Sequence, residues 1–253
     1  MKKNIYAAML LLGLSIVMVS CEKEYLEPNE TFSSTHDAAN KPLTRDGGHV
    51  MTDPRTHMYV DLGLPSGLLW ATMNIGANYP EDCGESFAWG ETSVKSDYTW
   101  GTYSYCDGGF DKLTKYNVWN DYGTIDNKII LDKTDDVAYI KWGDNWRMPT
   151  DAEWKELMNS EYCTWTWTKN GGVNGYKVTS NSIEASIFLP AAGYRLGVGI
   201  DNPGNTMCGE YWSSSLVQSD PNLAWYVYFF SNQANMGGYD RYHAAHVRAV
   251  CEP

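Results

Sequence analysis

The chain has 253 residues with 31 acidic against 19 basic side chains. Its formal net charge of −12 becomes −14 once residues 1–20, with Lys2 and Lys3, are removed. Such a surface repels phosphate backbones and excludes nucleic acid from the expected partners, and the six cysteines contain no Cys-x-x-Cys spacing, so neither a zinc site nor a thioredoxin-like redox site is expected.

Lys2 and Lys3 precede an apolar run over residues 5–20 that ends at Cys21. Crossing ~30 Å of hydrocarbon takes ~20 helical residues. A basic start, a short apolar centre and small residues before Cys21 predict a secretory signal instead. The segment Val17-Met18-Val19-Ser20-Cys21 resembles a bacterial lipobox, with Met18 where Leu is commonest. That resemblance implies a signal peptide over 1–21 and a diacylated Cys21 as the mature N-terminus. Glu22-Lys23-Glu24 resembles the acidic tract that directs Bacteroidetes lipoproteins to the outer face of the outer membrane. Several acyl chains, at ~0.8 kcal/mol per buried methylene, anchor firmly where one is marginal. Residues 22–56 are polar and poor in aromatics, which predicts a tether, and residues 57–253 suit one domain.

Within that domain the summed 11 Trp and 18 Tyr lie almost entirely after residue 57. Tyr59-Val60-Asp61-Leu62, a Pro65-Ser66-Gly67 turn and Leu68-Leu69-Trp70-Ala71 predict a hairpin. Residues 97–128, rich in Tyr, Asp and Gly without a period, predict a long ordered loop. Thr134 followed by Asp135 and Asp136 predicts a helix start running to Ile140, with Thr134 as the cap. Thr150 and Glu153 form a capping box for a second helix whose Trp154, Leu157 and Met158 share a face.

Beyond Cys163 the pattern is strand and turn. Residues 164–168 alternate, Gly171-Gly172 turns, and 175–179 returns. Residues 187–190 are a short buried strand, 224–230 the longest strand, and 246–250 the last. Period-2 geometry places Trp225, Val227 and Phe229 inward and Tyr226, Tyr228 and Phe230 outward.

Five segments, Val60–Ala71, Phe87–Thr92, Trp146–Thr150, Phe188–Arg195 and Tyr211–Ser215, together resemble the Fibrobacter succinogenes major paralogous domain in the right order over residues 58–251. The resemblance implies an α+β, C-type-lectin-like fold with small twisted antiparallel sheets, two short helices and long loops. Trp146-Arg147-Met148-Pro149-Thr150 is also similar to the helix start of formylglycine-generating enzymes. Those act through two close cysteines late in the domain, where this chain has Cys208 alone. Residues 232–246 are similar in composition to C-terminal segments that a retroelement diversifies in some proteins of this fold, but are better read as an ordinary polar hairpin loop.

Other chemistry is poorly served. With Cys21 lipidated, Cys83, Cys106, Cys163, Cys208 and Cys251 are an odd set whose pairing is not readable. Trp119-Asn120-Asp121 and Glu27-Pro28-Asn29 match calcium-lectin tripeptides but stand about 90 residues apart, and no metal is expected. Asp132, Asp135 and Asp136 could make a cation site, yet helix capping explains two of them, and Arg147, Arg195 and Arg248 are read as structural. Ser213-Ser214-Ser215 lacks a nucleophile elbow, and no cofactor is expected. What remains is an aromatic surface. Trp212, Tyr226, Tyr228, Phe230, Asn232, Asn235, Tyr239, Asp240, Tyr242, His243 and His246 are the expected ligand-binding residues. The sequence thus predicts a non-catalytic, surface-exposed outer-membrane lipoprotein that binds an extracellular glycan or protein. The alternatives are a structural or tip subunit of a surface fibre, and a formylglycine-generating-like enzyme.

Overall fold

The computed structural model describes residues 50–52, 57–195, 197–198 and 207–253. The segment 1–21 with Cys21, and most of the segment 22–56, lie outside the described residues. In chain order the first strands are β1 (Val50–Thr52), β2 (Met58–Asp61), β3 (Leu69–Asn74), β4 (Ser86–Ala88), β5 (Asp97–Tyr98) and β6 (Trp146–Arg147). Next come β7 (Cys163–Asn170), β8 (Val173–Ser180), β9 (Ser186–Pro190), β10 (Gly197–Val198) and β11 (Cys208–Leu216). The last are β12 (Leu223–Phe230), β13 (Gln233–Asp240), β14 (Ala244–His246) and β15 (Arg248–Cys251). The α-helices are α1 (Val137–Trp142) and α2 (Asp151–Leu157).

The organisation is α+β, with small and mostly antiparallel sheets. One sheet has the order β1-β2-β3-β15-β6, a second β13-β12-β11-β14-β4, and a third β7-β8-β9, while β10 pairs with β5. The β2–β3 hairpin turns where expected, with Gly67 N–H donating to Leu64 O. The β7–β8 hairpin closes on Gly171 and Gly172, both at positive φ, the requirement of a two-residue turn that follows strand twist. β1 falls inside the stretch read as tether and pairs Val50 with Val60, so the sheet begins earlier than the sequence predicts.

Residues 246–250 are not one strand. β14 lies parallel to β11 and antiparallel to β4, whereas β15 joins β3 and β6. The chain changes sheets at buried Val247, and Arg248 secures the change. Its guanidinium is fully buried and donates to Asn74 Oδ1, Ala71 O and Phe188 O at 2.8–3.0 Å, joining β15, β3 and β9. Arg147 is structural too, forming a two-bond fork with Glu153 and reaching Glu252.

The first helix starts later than predicted. Asp136, not Thr134, caps α1: its Oδ1 accepts from Ala138 N and Tyr139 N, and its Oδ2 accepts from Met148 N. Thr134 instead donates to Asp135 within a preceding 3-10 turn. The second helix follows the expectation, with Thr150 and Glu153 exchanging the two bonds of a capping box. Trp154 and Leu157 are buried, and Met158, the C-cap, packs partly buried against the same core.

The long 97–128 segment is ordered by a residue outside it. Arg241, fully buried, donates to Tyr103 Oη, Tyr116 O, Lys115 O and Pro221 O, and lies over the Trp89 ring. A buried guanidinium surrounded by carbonyls satisfies both sides: the cation gains acceptors, and the loop's carbonyls gain donors.

Candidate functional site

Strand register decides which expected residues meet. β11 pairs Glu210 with Tyr228 and Trp212 with Tyr226, while β12 pairs Tyr226 with Gly237, Tyr228 with Asn235 and Ala224 with Tyr239. Alternate residues share a face. One face of the second sheet therefore carries Glu210 and Trp212 from β11, Tyr226, Tyr228 and Phe230 from β12, and Gln233, Asn235, Gly237 and Tyr239 from β13. The other face sends Tyr211, Val227 and Phe229 into the core shared with α2. Val227 and Phe229 thus face inward as predicted, but Trp225 is only half-buried beneath Lys155 Nζ.

Exposure rises along this aromatic face. Trp212 is fully buried and donates its indole N–H to Phe87 O at 2.8 Å, so it is a floor and not a contact residue. Tyr226, read as outward, is only 8 % exposed, wedged between Trp212, Tyr228 and Tyr239. Tyr228 and Tyr239 are half-buried, and Phe230 at the rim is 43 % exposed. The Tyr226 and Tyr228 rings stand 5.3 Å apart with planes 25° from parallel. Both lean across the sheet toward Gly237: a Cβ there would stand 3.1 Å from a Tyr226 ring carbon and 3.2 Å from one of Tyr228. Aromatic rings covering a strand glycine are a recognised way of shielding bare backbone.

Residues 232–246, read as a loop, are mostly strand: β13 pairs with β12 along its whole length, followed by β14. Asn232 is exposed in the connecting turn, and Asn235 sits on the aromatic face. Three expected contact residues are displaced from that face. His246 is buried against Tyr211, and burial pushes its imidazole down to about 4. Tyr242 packs on Trp100, within the cluster around Tyr103. Asp240 alternates to the opposite face, and burial, with Asp220 nearby, raises its carboxyl.

His243 is also fully buried, but it supports the face from beneath. Its ring lies 4.4 Å from Tyr239, and its Nε2 is 2.6 Å from Glu210 Oε2. Glu210 was not among the expected residues. Burial first, and then the Glu210 charge, push the hydroxyls of Tyr226 and Tyr239 up, so both rings present neutral phenols. The available signal was the alternation of Cys208, Glu210 and Trp212, which marks β11 as a strand with Glu210 on the tyrosine face.

No protein-family profile, curated protein or solved structure matches this chain. The other candidate chemistries have local explanations. Lys115 forms ion pairs with Asp132 at 2.7 Å and with Asp135, and the Tyr116 hydroxyl also donates to Asp135. The suggested cation site is thus occupied by the chain's own lysine, with Asp136 engaged as a helix cap. Among the described residues no three His, Cys, Asp or Glu side chains converge as metal ligands. Burial raises the thiols of Cys163, to about 11, and Cys208. A separate cavity of about 370 Å³ is lined by Leu131, Tyr139, Trp146, Arg147, Ser214 and Glu252, with Arg147 already held by carboxylates.

Proposed function

We propose that this protein is a lipid-anchored lipoprotein of the outer cell surface. Its C-type-lectin-like domain binds an extracellular glycan or protein without catalysing a reaction. The observation that carries the reading is the graded aromatic face of β11–β13, running from buried Trp212 through Tyr226 and Tyr228 to exposed Phe230. Rings held by their neighbours lose little entropy on binding, and their apolar faces suit the C–H face of a sugar or an apolar side chain. Asn235, Gln233 and Asn232 stand beside the rings as hydrogen-bond partners. The proposed anchor rests on Cys21 and its preceding apolar run.

The test is the full chain in detergent on glycan and host-protein arrays, beside a variant carrying Tyr228→Ala and Phe230→Ala. Binding that the variant loses supports the reading, and binding unchanged by it removes the aromatic face from the function. Incorporation of labelled palmitate that depends on Cys21 tests the anchor separately.

A further inference from the structure

β13 is an edge strand. An open edge presents unpaired N–H and C=O groups, and soluble proteins normally protect it by shortness, proline, lysine or a bulge. The edge strands β1, β4 and β6 are two or three residues long. β7 is longer but carries Lys169. β13 runs Gln-Ala-Asn-Met-Gly-Gly-Tyr-Asp, with no lysine and no proline. Its eight residues pair with β12 in unbroken register, from Leu223 with Asp240 to Phe230 with Gln233. Among the described residues, its outer edge gives no backbone hydrogen bond to another element beyond His243 N–H to Asp240 O at its end.

Charge and side-chain reach narrow what would add to this edge. The strands β11, β12 and β13 contain Glu210 and Asp240 and no lysine or arginine. Because Gly237 has no side chain, the Tyr226 and Tyr228 rings extend over it to the outermost strand. An added strand stands about 4.8 Å beyond β13 and continues each cross-strand row. One row is Glu210–Tyr228–Asn235, and the next is Trp212–Tyr226–Gly237. A side chain continuing the Gly237 row therefore meets the edges of two phenol rings with the Glu210 carboxylate behind them, and that charge favours a guanidinium or ammonium group.

From these observations we infer that β13 accepts an extended, basic segment of a partner protein as an added strand, whose Arg or Lys side chain lies against the Tyr226–Tyr228 pair. Main-chain bonds supply affinity, and the alternate basic side chains supply selectivity. The inference rests on the recognition reading above and commits it to a peptide ligand.

The test uses the full chain in detergent with fluorescein-labelled peptides followed by anisotropy. The probes are an alternating Arg-Thr peptide, its Glu-Thr counterpart, and the Arg-Thr peptide N-methylated at alternate residues. The Arg-Thr peptide is expected to bind at least about tenfold more tightly than either of the others. Asn235→Lys and Gln233→Lys, both on the edge strand, are each expected to weaken it by about tenfold while leaving the melting temperature near the parent value. Equal binding of the basic and acidic peptides, indifference to N-methylation, or indifference to both lysine variants overturns the inference. Tyr228-dependent capture of a glycan, with none of the peptides bound, leaves the recognition reading standing and removes this one. Silence on both arrays and peptides removes both.

Discussion

His243 Nε2 lies 2.6 Å from Oε2 of Glu210, and this pair braces the aromatic face from beneath. The imidazole is fully buried, with Tyr239, Trp212 and Tyr194 around it, while the Glu210 side chain is 12 % exposed. Removing either partner leaves a polar group with its principal bond gone. His243→Leu and Glu210→Leu are each expected to cost about 1–3 kcal/mol in urea unfolding. The double variant should cost less than the two single costs added together, with a coupling of about 1 kcal/mol or more. Additive costs would show that the two groups do not depend on each other.

Arg241 is the second internal brace, and its consequences are felt elsewhere. Replacement by Met keeps an unbranched apolar stem but leaves the carbonyls of Lys115, Tyr116 and Pro221 without their donor. A loss of about 3 kcal/mol or more is expected. Amide exchange should accelerate through residues 103–117, not uniformly. Arg241→Met with exchange unchanged in that segment would show that the loop is ordered by its own contacts.

These two braces illustrate what local sequence conveys and what it does not. The capping box at Thr150 and Glu153 spans four residues, and its pattern predicts α2 with its buried Trp154 and Leu157. The Gly171-Gly172 turn likewise carries its conformation in its own sequence. β12 is different: every position from 224 to 230 is apolar or aromatic, so alternation alone cannot rank its faces. Only pairing with β11 and β13 shows that Tyr226 sits over Trp212 and Gly237. The same limit explains why β13 reads as a loop, since its Asn and Gly residues suit turns and its strand state depends on β12. Burial of His243 and His246, and the sheet change at Val247, are likewise set by residues far along the chain.

Acid should expose the burial of His246. Its folded-state value is about 4, against an ordinary 6.5, chiefly through burial and then through Arg195. Between those values the unfolded chain binds the extra proton, so stability is complete above 6.5 and falls as the pH drops toward 4, by roughly 3 kcal/mol. Burial raises the carboxyls of Asp136 and Asp240, so these two gain stability on protonation and oppose the His246 loss, whereas the lowered carboxyls act at lower pH. Lys115 and Lys128 hold Asp132 below its usual range, and Lys115 and Tyr116 do the same for Asp135 against the burial that would raise it. That stability is lost only as pH falls below about 3.8. Urea unfolding of the parent at pH 7.5 and 4.5 should therefore differ much more than that of His246→Asn. Parallel slopes for the two proteins would remove His246 as the cause.

Gly237 is where stability and recognition separate. A β-branched residue suits a strand, and β13 is an edge strand among the described residues, so Gly237→Val gains propensity. Against this, the added Cβ stands 3.1 and 3.2 Å from two ring carbons at once, those of Tyr226 and Tyr228. Tyr226 is packed on Trp212 and has little room to withdraw, whereas half-buried Tyr228 can swing outward. The two effects oppose, and the net change in stability should stay within about 1 kcal/mol. Ring order should not survive: near-UV circular dichroism is expected to change, and any ligand that Tyr228→Ala releases should be released by Gly237→Val as well. Binding retained by the valine variant, with the near-UV spectrum altered, would mean that the ligand touches the face without using the stacked pair.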